Sequence, residues 1–292
     1  MLKRRFWGLS AVAAVTLAGC LVLSLWIVKF RDAAAARSVS SVVLTQRPQT
    51  GHVAGQPRPR LRAVDSPLGA CEAGLERGPR HAPTVAIVGA SYTAGVGPDN
   101  PAQSWAVGTA RLLRWNAVIY GVTGAGYVHP GTGGRGPMSR MLAAEGLGTL
   151  DPALVIIQAG HDDVGVPAGF EARGVAATMR QVQAADPGAR IALLTTFSGS
   201  LGGYPALLAT DHAIVAAGTA ADPGVIIMDP LAGHWRYQHA DGGLHPTAGG
   251  DAWIARAVAG LLAAHGVAAA PPSPAAPVIC DVTVGVGKAA TA

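Results

Sequence analysis

Thr84-Val85-Ala86-Ile87-Val88-Gly89-Ala90-Ser91-Tyr92-Thr93-Ala94-Gly95 couples an unbroken β-branched and aliphatic run to a glycine and, two residues on, to a serine. A strand buried on both faces of a parallel sheet reads this way, because neither side of it alternates with polar residues. In open α/β sheets the carboxyl ends of the strands are where ligands bind, and Ser91 stands at such an end. A serine after a strand also caps helices, and this stretch by itself leaves both readings open.

Working outward, short apolar runs alternate with amphipathic segments from Thr84 onwards. Strands are expected at 85–88, 117–120, 154–158, 191–195 and 225–228, and helices near 104–113, 138–147, 171–185, 205–221 and 248–265. Asp186-Pro187-Gly188 and Asp222-Pro223-Gly224 each punctuate the chain just before a strand. Strands alternating with helices at this spacing predict a parallel sheet covered on both faces. No internal repeat, P-loop or dinucleotide fingerprint interrupts the pattern.

The polar signals collect just after the expected strands. Gly121-Val122-Thr123-Gly124-Ala125-Gly126 follows the second, Gly160-His161-Asp162-Asp163 the third, and Asp241-Gly242-Gly243-Leu244-His245-Pro246-Thr247 the fifth. A hydroxyl, a glycine turn, a polar cluster and an Asp-His pair on one sheet edge are the components of a nucleophilic acyl-transfer site.

Those four blocks, in that order, resemble the SGNH or GDSL-type serine hydrolases over about residues 84–266. The resemblance implies a flavodoxin-like α/β/α sandwich with a five-stranded parallel sheet in the order 2-1-3-4-5. It implies Ser91 as nucleophile, His245 as base, Asp241 as the carboxylate behind the imidazole, and an oxyanion hole from Ser91, Gly124 and Asp162, with His161 and Asp163 in support. Three positions depart from the family pattern. Ala90 replaces an aspartate, Asp162 stands where the family has asparagine, and Asp241 is one residue farther from His245 than usual. An ionised Asp162 would repel an oxyanion, so it serves only if it keeps a proton; otherwise His161 or backbone N–H groups donate instead. The expected activity is cleavage of a carboxylic ester, of a lipid or an O-acylated envelope glycan, with no cofactor. The alternatives are acyl transfer to a sugar and a non-catalytic glycan- or lipid-binding domain.

Two aromatic residues, Trp235 and Tyr237, precede the last block and read either as cleft lining or as ordinary packing. His129 lies in the glycine-rich loop, beside the cleft or exposed. His161, His234, His239 and His245 read as loop residues near a polar cleft, since no close pair falls on one helix face to hold a metal.

The flanks bear on compartment. Lys3-Arg4-Arg5 precedes an apolar run from residue 6 to 28, closed by Lys29 and Arg31. That length suits a retained signal anchor spanning a membrane once, with the remainder outside the cytoplasm. Leu17-Ala18-Gly19-Cys20 resembles a lipobox, which makes acylation at Cys20 the alternative. The expected organisation is an anchor at 1–31, a linker rich in Ala, Arg, Pro, Ser and Gly at 32–80, the hydrolase-like domain at 81–267 and a tail at 268–292. Cys71 and Cys280 flank the domain and form a plausible disulfide pair in an oxidising compartment. The chain of 292 residues is 50% hydrophobic and 13% charged, with a formal net charge of +5. Its arginines are densest before residue 81, and no basic stripe with interleaved aromatics appears in the α/β region, so a nucleic-acid partner is not expected.

Overall fold

The computed structural model describes residues 75, 82–98, 100–144, 150–201, 204–240 and 242–285. The expected anchor at 6–28, Cys20, Cys71, nearly all of the linker and Asp241 lie outside the described residues. Among the described residues no helix is long and apolar enough to cross a membrane.

Among the described residues six strands, all parallel, form one sheet: β1 (Thr84–Gly89), β2 (Asn116–Val122), β3 (Leu154–Gln158), β4 (Arg190–Leu194), β5 (Ile226–Met228) and β6 (Ile279–Val284). Their order is β5-β4-β3-β1-β2-β6. The first five reproduce the expected 2-1-3-4-5 arrangement. β6 is an addition supplied by the C-terminal tail, which lies alongside β2 with Ala117 opposite Ile279 and Val122 opposite Val284.

Among the described residues five helices cover the two faces: α1 (Trp105–Leu113), α2 (Met138–Ala144), α3 (Ala168–Ala185), α4 (Pro205–Ala221) and α5 (Ala248–Ala264). Alternate strand residues divide between two cores, as the period of two requires. Val85, Ile87, Ile119, Ile156 and Leu194 meet α1 and α5 through Trp105, Leu113, Ile254 and Val258. Ala86, Val88, Val155, Ile157 and Leu193 meet the other layer through Met138, Met141, Val175, Met179 and Ile214. Truncating a fully buried isoleucine such as Ile87 or Ile156 costs roughly 2–5 kcal/mol, because the close-packed neighbours cannot collapse into the space.

Local chemistry sets where the helices begin. Ser104 accepts the Val107 N–H at the start of α1, and Thr247 accepts the Gly250 N–H at 3.1 Å at the start of α5. α1 ends at Arg114, whose φ of 55° is left-handed, as helix ends commonly are. α3 begins three residues before the expected 171 because 168–170 continue the turn opened by Pro167.

Candidate active site

Gly89 closes β1 where a side chain cannot fit: a Cβ there would lie 2.1 Å from Thr93 Oγ1 and 2.9 Å from the Gln158 carbonyl. The chain can therefore fold tightly over the end of β3. Gln158 secures it, its side-chain oxygen accepting from Ala90 N at 3.1 Å and from Thr93 Oγ1 at 3.0 Å. The turn is completed by Ala94 N donating to Ala90 O and Val96 N to Ser91 O. Ser91 is thus raised at the carboxyl edge of the sheet. Its hydroxyl caps no helix; that role belongs to Ser104.

The Ser91 Oγ lies 2.9 Å from Nε2 of His245, 154 residues away in sequence. The loop that brings His245 there is tied at several points. Ala240 N donates to His245 O at 2.9 Å, Gly243 N to Ala240 O at 3.0 Å, and Ser200 N, from the loop after β4, to Gly243 O at 2.6 Å. Gly242 and Gly243 have φ of 87° and 72°, a conformation that costs glycine little and other residues much. Burial, with His161 nearby as the lesser cause, holds the His245 imidazole below its ordinary pKa, so the ring stays neutral and can accept a proton.

The turns after β2 and β3 face the same edge, because Gly89 is in register with Gly121 on one side and Gln158 on the other. Gly124 has a φ of 75° within a turn closed by Ala125 N donating to Val122 O. Among the described residues neither Ser91 N–H nor Gly124 N–H has an acceptor. His161 is oriented by the Phe197 carbonyl, 3.1 Å from Nδ1; a carbonyl only accepts, so the ring carries its hydrogen on Nδ1.

The two adjacent aspartates differ sharply. Asp163 is fully buried and accepts from the N–H groups of Tyr127 at 2.5 Å, Val128 at 3.3 Å and His129 at 2.9 Å, and from His129 Nδ1 at 3.0 Å. It anchors the loop that follows Gly124. Beneath it Glu171 is buried, and its carboxyl is pushed up to about 8 by burial and by Asp163. Asp162 is half-buried, and burial raises its pKa above the ordinary carboxylate value against the opposing pull of His161.

Aromatic packing surrounds the pair. The Tyr92 ring stacks on Phe197 at 4.3 Å and lies 5.4 Å from the His245 ring. Phe197 in turn meets Trp235 and Tyr237 edge-on, at 6.0 and 5.9 Å. Trp235 and Tyr237 are therefore part of the packing beneath the histidine loop. His129 is half exposed on Asp163, and His234 is exposed. Among the described residues no group of three or more His, Cys, Asp or Glu is placed to hold a metal ion. Sequence reading overlooked Tyr92, Phe197 and Gln158. Only Tyr92 carried a signal, by standing next to Ser91.

A family model described as GDSL-like lipase/acylhydrolase matches residues 87–253, more than half of the chain. No curated protein matches by sequence. Among solved structures, the chain is similar to a carbohydrate esterase family 2 enzyme with a carbohydrate-binding domain from Corynascus thermopiles (Myceliophthora fergusii), at 18% identity and a TM-score of 0.50, covering 65% of this chain and 68% of that one. It is similar to a family two carbohydrate esterase from Cellvibrio japonicus at 17% identity and a TM-score of 0.51, covering 63% and 62%. It is also similar to the salicylyl-acyltransferase SsfX3 from a tetracycline biosynthetic pathway at 17% identity and a TM-score of 0.52, covering 64% and 55%. Likeness at this identity speaks to the fold.

Proposed function

The chain belongs to the GDSL-like lipase/acylhydrolase family, and we propose that it cleaves a carboxylic ester through an acyl-enzyme on Ser91. The observation that carries this reading is the 2.9 Å contact between Ser91 Oγ and His245 Nε2. In the proposed reaction Ser91 Oγ bonds to the ester carbonyl carbon while its proton passes to His245 Nε2. The N–H groups of Ser91 and Gly124, with Asp162 in its protonated form, donate to the oxygen that becomes negative. Collapse breaks the carbon–oxygen bond to the alcohol, which takes the proton from His245. Water, deprotonated by the same imidazole, then releases the acid and restores Ser91. Asp241 remains the proposed carboxylate behind His245.

For substrate we favour an O-acylated glycan over a lipid, in keeping with the two similar structures described as carbohydrate esterases. Acyl transfer to a sugar is the second reading, kept because one similar structure is described as an acyltransferase. The first test is p-nitrophenyl acetate hydrolysis by the full chain beside Ser91→Ala. Loss of turnover in the variant is expected, and equal rates would overturn the nucleophile. An acetylated oligosaccharide set against a long-chain p-nitrophenyl ester then separates glycan from lipid, and added sugar acceptors reveal transfer.

The anchor at 6–28, with acylation at Cys20 as its alternative, and a Cys71–Cys280 bridge remain part of the proposal. Their support is the Lys3-Arg4-Arg5 cluster before an apolar run and the burial of Cys280 on β6. Thiol titration of secreted material under denaturing conditions tests the bridge: one thiol among the three cysteines is expected, and three would refute it.

A further inference from the structure

The residue following the nucleophile is not filler. Tyr92 is almost fully buried, yet its hydroxyl is not idle: it donates to the carbonyl of Leu244, the residue immediately before His245. Since that carbonyl only accepts, the Tyr92 oxygen is left to accept from Tyr237, whose hydroxyl lies 3.1 Å away. The result is a chain of two phenols ending on the histidine loop. The ring is fixed as well, stacked at 4.3 Å and 6° on Phe197, whose own carbonyl orients His161. Ser91 and the hydroxyl that holds the His245 backbone therefore sit on neighbouring residues of one tight turn.

Resting on the esterase reading, we propose that Tyr92 is the positioning residue of this site: its hydroxyl, steadied by Tyr237, sets the height of Leu244 and so the reach of His245 to Ser91. Ser91 and Tyr92 share a turn that Gln158 locks to β3, so a shift of the His245 backbone away from Ser91 strains the Tyr92–Leu244 bond. A reacting pair held at hydrogen-bond distance loses rate steeply when its geometry slackens.

The proposal makes a prediction that simple packing does not. Removing the hydroxyl but keeping the ring frees the loop and admits water to the His245 imidazole, relaxing the burial that holds it below its ordinary value. Other titratable groups stand near it. Asp251, on α5, is held at about 8 and stays neutral through the acid range. Asp162 is raised by burial, burial pushes Tyr237 up to about 12, and His161 faces His245 on the remaining side.

The test compares wild type, Ser91→Ala, Tyr92→Phe and Tyr237→Phe in the full chain, following p-nitrophenyl acetate hydrolysis across pH. Tyr92→Phe is expected to lower kcat about tenfold with KM nearly unchanged. The acid limb of kcat/KM should move toward higher pH. Tyr237→Phe, which leaves Tyr92 in place, should shift the same limb less, and it carries the test if Tyr92→Phe does not fold. Wild-type kcat in Tyr92→Phe, or lowered kcat with an unmoved limb, overturns the proposal while an inactive Ser91→Ala leaves the esterase reading standing. Full activity in Ser91→Ala defeats that reading, and the role of Tyr92 with it.

Discussion

The loops after β1 and β5 meet the loops after β2 and β3 at one sheet edge, and the two pairs are held by different physics. On the first side, Ser91 and His245 are joined by neutral groups: a hydroxyl against an imidazole, a phenol against a carbonyl, and stacked rings. On the second, a buried carboxylate gathers three backbone N–H groups and a histidine ring. Neutral contacts and burial leave the His245 imidazole uncharged and able to accept a proton. The carboxylate holds the loop that follows Gly124. Asp162 and Asp163 show how finely this is divided, since two residues of one type, adjacent in sequence, differ in burial and in donors, and only the second is fully satisfied.

The comparison can be broken most severely on its neutral side. Ser91→Ala should lower kcat by at least about 10³-fold with little change in thermal midpoint, because in the proposed reaction the serine touches the reacting atoms and little else. An equally large loss of stability would show that the hydroxyl is structural. On the charged side the order reverses. Asp163→Ala leaves several buried donors without an acceptor and should cost roughly 3 kcal/mol in urea denaturation; a change below about 0.5 kcal/mol would remove Asp163 from its anchoring role.

Asp162 lies between these extremes. Its pKa is raised, so the neutral form that can donate is present at low pH and lost as pH rises through the folded value. Asp162→Asn keeps a donor at every pH and should exceed wild type by about tenfold in kcat above the pH at which Asp162 loses its proton, removing the decline there. Identical pH profiles would take Asp162 out of the oxyanion hole. The smallest effect is expected from His129→Ala. Half exposed, its bond to Asp163 should contribute about 0.5 kcal/mol, since the backbone donors remain.

Much of this arrangement is legible in the residues because each core strand is a short aliphatic run that ends at a polar or glycine turn. Leu154-Val155-Ile156-Ile157-Gln158 has no polar side to hide, so strand and position follow from composition alone. The four blocks then fall at strand ends, which brings Ser91 and His245 together in prospect. What stayed hidden depends on partners distant in sequence. Gln158 reads as the last residue of a strand, and only the fold shows it bonding to both Ala90 and Thr93. Asp163 reads as one acid among several, because its donors lie in a loop 34 to 36 residues earlier. The segment Ile279-Cys280-Asp281-Val282, preceded by Pro277 and isolated from the repeating units, reads as tail. β2 already had one neighbour, and nothing local announces that it takes a second.

That second neighbour ties the maturation of the molecule to a strand that emerges long after β2. Val278 N donates to Asn116 Oδ1 across 162 residues, so during synthesis β2 must wait, one edge bare, until β6 has emerged. An uncovered strand is a template for pairing with other chains, and the delay is long at ribosomal pace. A product shortened before β6 would keep all four sequence blocks and still offer β2 to its neighbours as an adhesive edge.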